Sequence, residues 1–211
     1  MSSLAVVAFL VLAADNGQSA SPKAENAVVA PLVDEIGHGP VIELDVFSLS
    51  GGPTSSSRFS VLGLGASTGG SPVLAIPALQ VGWDFDQNAF LVGVQVWFVQ
   101  GSGSTNATGA SEVSVPLTYR RYLKPLAAYT FAPFIEGSFS MDFVTTGGNN
   151  SSLQFGFGAD LGFGGEYIFT RNFGLMGKAL LGYQHIPAAF GAANDVNAAG
   201  IGGVLGILVH F

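Results

Sequence analysis

Residues 155–169 read FGFGADLGFGGEYIF. One parity of this stretch carries large apolar side chains such as Phe157, Leu161 and Phe163, and the other carries glycine with Asp160 and Glu166. Because successive side chains of a β-strand point to opposite faces, the pattern predicts a strand with one large apolar face and one narrow polar face. In a soluble sheet the apolar face would pack on a core, whereas in a membrane barrel it would face lipid. This stretch alone leaves both possibilities open.

The same alternation recurs along the rest of the chain. Six further segments show it: 79–85, 90–98, 113–119, 135–143, 175–183 and 201–211. Repeated segments of about ten residues with a two-residue period are typical of bacterial membrane barrels, which have an even number of strands. An eighth strand is therefore needed, and both Val41–Leu49 and Phe59–Ala66 qualify. We favour Val41–Leu49 as the spanning strand, with the other segment in a loop or paired outside the membrane.

The predicted fold class is all-β, an eight-stranded antiparallel up-and-down transmembrane β-barrel over residues 41–211. The composition agrees, since 48 % of the 211 residues are hydrophobic and only 10 % are charged, which is too apolar for a disordered chain. Beyond the N-terminus no apolar run is long enough for a membrane-spanning helix. One alternative is a soluble lipocalin-like ligand-binding barrel, which would have an apolar lumen and a polar exterior.

Charge and cysteine content exclude several function classes. The net charge is −7 and no basic stripe is present, so we expect no nucleic-acid partner. The chain has no cysteine, which excludes thiol catalysis, disulfides and cysteine-ligated zinc. The three histidines, His38, His185 and His210, show no metal-ligand spacing. We therefore predict no metal site, no cofactor and no catalytic residue.

The N-terminal residues 1–20 are predicted to be a signal peptide. Residues 4–14 read LAVVAFLVLAA, an apolar stretch of signal-peptide length. The positively charged residues that precede such a stretch are missing, which we interpret as a truncation or a start further upstream. A buried N-terminal helix is the alternative. Residues 21–40 contain three prolines and no clear period, and are predicted to form a linker or periplasmic segment.

The connections between strands are predicted to alternate in length. Asp86–Asn88 and Thr170–Asn172 are short turns, and 124–132 is a somewhat longer connection on the same side. The stretches 101–111, 146–152 and 188–198 are longer and rich in Gly, Ser, Asn and Ala. Membrane barrels have short periplasmic turns and longer extracellular loops, so the short turns would face the periplasm.

Aromatic residues near the strand ends predict two interface girdles. The interface aromatics are Trp83, Trp97, Tyr119, Tyr167 and Tyr183. Trp97 departs from the polar parity of its strand.

The inward parity predicts a charge network inside the barrel. Its members are Asp84, Glu112, Arg120, Glu136, Asp142, Asp160, Glu166 and Lys178. An eight-stranded barrel is only wide enough for side chains to fill it, and buried charges must be paired or hydrated. Our hypothesis is that Arg120 and Lys178 bridge neighbouring carboxylates and plug the lumen. A gated cation path is the functional alternative.

The last seven residues, LGILVHF, alternate and finish on an aromatic side chain. They resemble the C-terminal assembly signal of outer-membrane barrels, with Leu205, Ile207, Val209 and Phe211 as its members. Together with the alternating segments upstream, the chain resembles the small OmpA/OmpX-like outer-membrane barrels of Gram-negative bacteria.

This resemblance implies a location in the bacterial outer membrane. It also implies two partners, outer-membrane lipid and the barrel-assembly machinery, and we expect a monomer. The predicted function is non-enzymatic, with a structural or surface-interaction role through the extracellular loops. A narrow porin-like passive pore is the first alternative.

A lipid A-modifying enzyme is a further alternative. Lipid A deacylases carry an H-x-S-N motif with a serine nucleophile, whereas here Pro187 follows His185 at the serine position and Ala188 comes next. A Ser/His mechanism needs a hydroxyl within hydrogen-bond reach of the imidazole. Because the motif is broken, we predict that the protein is not an enzyme.

Overall fold

The structure is a computed structural model that describes residues 35–36, 38–52, 55–61, 64–67, 72–99, 110–146, 152–186 and 196–211. These residues form strands and tight turns, and none of their segments is a helix long and apolar enough to cross a membrane. The strands are β1 (Glu35–Ile36), β2 (His38–Gly52), β3 (Ser55–Val61), β4 (Leu64–Ser67), β5 (Pro72–Phe85), β6 (Asn88–Val99), β7 (Ala110–Tyr122), β8 (Leu126–Ala127), β9 (Phe131–Thr146), β10 (Ser152–Thr170), β11 (Phe173–Ile186) and β12 (Val196–His210).

Eight long antiparallel strands close into a barrel, as predicted. They are β2, β5, β6, β7, β9, β10, β11 and β12. Each pairs with the next in chain order, and β12 closes the cylinder by pairing with β2, where Val209 lies opposite Ile42. Neighbouring strands pair over long stretches. For example, β10 from Tyr167 to Ser152 pairs with β9 from Phe131 to Thr146.

The two candidate first strands occupy different places. Residues 41–49 lie in β2, which pairs directly with β5 from His38 to Leu44. Of the other segment, residues 59–61 lie in β3 and residues 64–66 lie in β4, two paired strands inserted between β2 and β5 beyond that point. The second segment therefore extends the wall at one end of the barrel and does not add a ninth full-length strand.

Strand structure is present within the stretch 21–40 that was predicted to be a linker or periplasmic segment. Glu35 and Ile36 pair with Ala127 and Leu126 in a small two-stranded sheet, and β2 already begins at His38. The predicted signal peptide and residues 21–34 lie outside the described residues.

The two faces of the barrel wall differ in polarity. Large apolar side chains point outward and are exposed, among them Phe90, Leu117, Phe139 and Phe163. The buried inward side chains include many polar and charged groups. This is the reverse of a lipocalin, so the apolar-lumen alternative is wrong for the described part of the chain.

The ends of the barrel also differ. One end, called the short-turn end below, carries the turns Asp86–Gln87 and Arg171–Asn172 and the connection 123–130. The opposite end is called the loop end. The predicted loops 101–111, 146–152 and 188–198 connect strands there, and most of their residues lie outside the described part.

The barrel lumen as candidate functional site

The lumen is filled in three levels from the short-turn end to the loop end. The lowest level, here called the inner cap, is apolar. Its largest fully buried apolar side chains are Tyr122, Phe134, Leu126, Ile168 and Leu208. The rings of Tyr122 and Phe134 meet edge to face, with centroids 5.8 Å apart, a preferred arrangement for aromatic pairs.

A histidine cluster lies within the inner cap. Nδ1 of His210 is 2.7 Å from Oδ2 of Asp84, and its Nε2 is 2.7 Å from Oε1 of Glu166. The hydroxyl of Tyr122 donates to Oε2 of Glu166 over 3.0 Å. Each ring nitrogen of His210 therefore lies within hydrogen-bond distance of one carboxylate.

The middle level is a ring of four alternating charges, called the ion-pair ring. Nη2 of Arg120 lies 2.6 Å from Glu43 and 2.7 Å from Glu136. Nζ of Lys178 lies 2.9 Å from Glu43 and 3.0 Å from Glu136. Each carboxylate therefore contacts both cations and each cation contacts both carboxylates. All four side chains are at least 96 % buried, so the ring removes them from water as a set that is neutral overall.

Strand pairing and glycine explain how the ring assembles. Arg120 and Glu136 are direct partners in the pairing of β7 with β9. Lys178 is on β11 and must reach Glu136 across β10. At this level β10 presents Gly162 and Gly164. A Cβ on Gly162 would lie 2.7 Å from Cγ of Glu136, and a Cβ on Gly164 would lie 2.8 Å from Cβ of Lys178. The small face predicted for residues 155–169 leaves the space that the ring occupies.

Neutral and aromatic groups support the ring. Nε2 of Gln80 donates to Oε1 of Glu43 over 3.3 Å, and Oγ1 of Thr118 donates to Oε1 of Gln80 over 3.0 Å. The guanidinium carbon of Arg120 lies 4.2 Å from the centroid of the Phe134 ring, within cation–π distance. These contacts hold the long cationic side chain across the lumen, directly above the inner cap.

The upper level is a cavity of about 290 Å³, here called the outer cavity. Lys178 and Glu136 of the ion-pair ring form part of its wall, together with Asp45, Glu112, Asp142 and Asp160. Neutral groups hold several of these carboxylates. Oγ of Ser114 donates to Oδ1 of Asp142 over 2.6 Å, and Oγ of Ser138 donates to Oδ2 of Asp160 over 3.0 Å. Nε2 of Gln184 donates to Oδ2 of Asp142 over 3.0 Å and to Oε1 of Glu112 over 2.7 Å.

The structure distributes the eight predicted network residues over all three levels. Asp84 and Glu166 lie in the histidine cluster; Arg120, Glu136 and Lys178 lie in the ion-pair ring; Glu112, Asp142 and Asp160 line the outer cavity. All eight point inward, but they do not form one continuous network.

Sequence reasoning missed three charged members of the lumen. Glu43 completes the ring, Asp45 lines the outer cavity and His210 organises the inner cap. The signal for the first two was available, because Val41, Glu43 and Asp45 share one parity of the favoured first strand. His210 alternates with the outward residues of the C-terminal segment, so its parity also indicated the lumen.

The predicted interface aromatics include one error. Trp83, Tyr119, Tyr167 and Tyr183 are exposed on the outer surface. Trp97 is only 8 % exposed and lines the outer cavity. It shares the parity of Gln95, and that parity, not aromatic character, sets its direction. Of the C-terminal residues, Leu205 and Phe211 are exposed, and Ile207 and Val209 are partly exposed.

The described residues contain no cluster with metal-binding geometry. No three His, Asp or Glu side chains in this part of the chain are arranged to hold a metal ion. Nδ1 of His185 lies 2.8 Å from Oδ1 of Asn197, and its ring packs against Phe157. Pro187 lies outside the described residues.

Solved structures similar to this one are small outer-membrane barrels. Neisserial surface protein A matches with a TM-score of 0.56 and 14 % identity, over 82 % of this chain and 96 % of that one. The N-terminal β-barrel domain of Pseudomonas aeruginosa OprF matches with a TM-score of 0.47 and 14 % identity, over 83 % of this chain and 99 % of that one. The likeness to the neisserial protein confirms the predicted resemblance at the level of the fold.

No protein-family model and no curated protein sequence matches the chain.

Proposed function

We propose that the protein is a non-enzymatic barrel of the outer membrane of a Gram-negative bacterium, with a closed lumen and a role at the cell surface. The observation that carries this proposal is the combination of an apolar exterior with a lumen blocked at two levels. Exposed Phe90, Phe139 and Phe163 suit contact with lipid tails. The ion-pair ring and the inner cap leave little room for a solute to pass.

Because the lumen is closed, we expect the protein to act through the outer surfaces of the barrel. In an eight-stranded barrel the interior is only just wide enough for side chains. Here Arg120 and Glu43 are fully buried in the middle of the lumen, with Tyr122, Phe134 and Leu208 fully buried near them on the short-turn side. This burial favours a role of the connections at the loop end, which the barrel presents on its outside.

A topology experiment tests the orientation that this role requires. An epitope inserted between Asn106 and Ala107 should be accessible to antibody on intact cells. The matched control is the same epitope inserted between Asp86 and Gln87 at the short-turn end, which should react only after the outer membrane is permeabilised. If the control epitope is accessible on intact cells and the other is not, the proposed surface role of these loops is wrong.

A loop replacement then tests the role itself. Residues 101–109 can be exchanged for a Gly/Ser segment of equal length, which leaves the barrel strands β6 and β7 intact. We expect unchanged folding, seen as a faster SDS-gel band that shifts on boiling, and reduced adhesion of the expressing cells to surfaces that cells with the wild-type protein bind. Unchanged adhesion after replacement of each loop in turn would contradict a surface-interaction role.

A narrow passive pore is the second candidate, and the outer cavity is the observation that favours it. The cavity already occupies the loop-end part of the lumen, so only the ion-pair ring and the inner cap separate it from the short-turn end. Planar-bilayer recordings separate the two proposals. A closed lumen predicts no steady conductance in 1 M KCl, whereas regular single-channel steps from the wild-type protein would establish the pore.

The non-enzymatic part of the proposal has its own test. Lipid A and phospholipids from cells with and without the protein should have identical mass spectra. Loss of an acyl chain that depends on His185 would replace the proposal by the lipid A-modifying alternative.

A further inference from the structure

The described wall of the outer cavity contains more carboxylates than cationic side chains. Among the described residues its wall holds five carboxylates and a single cation, Lys178. That cation is 2.9 Å from Glu43 and 3.0 Å from Glu136, so the ion-pair ring already engages it. In the described part of the chain, Asp45, Asp142 and Asp160 form no ion pair with a cationic side chain.

Asp45 is the strongest indication that something is bound there. Its side chain lines the cavity, the residue is only 8 % exposed, and its Oδ1 has no hydrogen-bond partner. Leaving a buried polar atom without a partner costs free energy, and more so if it is charged. The neighbouring carboxylates differ, since Asp142 and Asp160 accept hydrogen bonds from serine or glutamine. Asp45 therefore holds a buried acceptor that no group of the described residues satisfies.

The arrangement of the wall defines the ligand's chemistry. The carboxylates come from different strands, Asp45 from β2, Asp142 from β9 and Asp160 from β10. They are not grouped as metal ligands among the described residues. A cation that reaches more than one wall, with donors at both ends, fits this arrangement better than a single ion. The volume of about 290 Å³ is close to the lower end of known small-ligand pockets, roughly 300–1,000 Å³.

Aromatic and cationic groups in the cavity wall further define the chemical class of the ligand. The inward side chain of Trp97 is part of the cavity lining, and an indole face attracts an alkylammonium group. Lys178 lies at the floor of the cavity, where its charge repels a bound cation. The bound cation is therefore kept away from the ion-pair ring, at the level of Asp45. We propose that the outer cavity binds a small aliphatic diamine, with one ammonium group on Asp45 and the other on the carboxylates of the opposite wall. This inference needs the barrel fold but not the proposed surface role.

Trp97 provides the readout. The chain has two tryptophans, and the exposed Trp83 can be replaced by Phe so that Trp97 is the only one. The Trp83→Phe protein, refolded as the full chain in detergent micelles at low ionic strength, is titrated with 1,4-diaminobutane. We expect a saturable change in Trp97 fluorescence. Asp45→Asn should weaken binding at least tenfold, and 1-aminobutane should bind at least tenfold more weakly than the diamine.

The control variant is Asp86→Asn, which removes an exposed carboxylate at the short-turn end and should leave binding unchanged. Heat-modifiable migration on SDS gels checks that each variant folds. If Asp45→Asn does not fold, Asp142→Asn takes its place with the same expected weakening.

Three results would overturn the proposal. One is the absence of a saturable signal with the diamine. Another is equal affinity in the wild type and the folded cavity variant. The third is binding of Mg²⁺ with equal affinity and the same dependence on Asp45, which would make the cavity a site for an inorganic ion. None of these results bears on the topology or adhesion experiments, so failure here is distinguishable from failure of the proposed function.

Discussion

The two halves of the lumen treat buried charge in opposite ways. Towards the short-turn end, Arg120, Lys178 and His210 each lie between two carboxylates. Towards the loop end, Asp142 and Asp160 receive hydrogen bonds from neutral side chains. The same strands build both halves, so the difference comes from which side chains they present and not from the backbone.

The contrast indicates that the two halves of the barrel lumen have different roles. Buried charges far from water require charged partners, because desolvation of an isolated ion costs several kcal/mol or more. The inner half meets this requirement and closes the barrel. The outer half has a cavity of about 290 Å³ in which carboxylates can be hydrated or can meet a ligand. Stability is therefore expected to depend on the inner half, and recognition on the outer half.

The largest effect is expected for Arg120→Met. The substitution keeps most of the side-chain volume but leaves the buried Glu43 and Glu136 with Lys178 alone. Breaking a buried ion pair by removing one partner costs about 3–5 kcal/mol. Urea unfolding of the protein in lipid vesicles, followed by tryptophan fluorescence, should show a loss of this size.

Arg121→Met is the matched control for that experiment. Arg121 is the next residue on β7, but it is exposed and contacts Asn88 over 2.9 Å. Its replacement should leave the free energy of unfolding nearly unchanged. Similar losses for the two variants would mean that the ion-pair ring does not stabilise the inner half.

Lys178→Met is expected to have the next largest effect. Arg120 still contacts both carboxylates in this variant, so the free energy of unfolding should fall by about 3 kcal/mol, the lower limit for a broken buried pair. The same vesicle assay measures it. An unchanged unfolding midpoint would show that Lys178 is not needed to neutralise Glu43 and Glu136.

The sequence predicted the wall of the barrel far better than the contents of its lumen. The alternation in residues 155–169 sufficed to predict the strand and its two faces. The pairing of Lys178 with Glu43 could not be predicted, because the two residues are 135 residues apart and meet only after the barrel closes. Trp97 is a different case, because the sequence did contain the signal. Its aromatic character suggested the interface, whereas its parity indicated the lumen.

His210→Phe tests the lowest level of the lumen and should have a smaller effect. Phenylalanine fills the space of the imidazole but leaves Asp84 and Glu166 without their shared donor. An unpaired buried acceptor costs about 1–3 kcal/mol, and Glu166 keeps the hydrogen bond from Tyr122. The expected loss in the vesicle assay is therefore within this range. A more stable variant would mean that apolar packing alone closes the inner cap.

Asp142→Asn should have the smallest effect on stability, although Asp142 is 1 % exposed and thus as buried as the ring residues. Its partners are the hydroxyl of Ser114 and the amide of Gln184, and both can reverse their donor and acceptor roles to satisfy an asparagine. Removing one negative charge also reduces repulsion among the cavity carboxylates. The change should be smaller than about 1 kcal/mol, the net contribution of one hydrogen bond. A loss as large as that of Lys178→Met would show that the outer half also depends on its charge for stability, and the division between the two halves would then disappear.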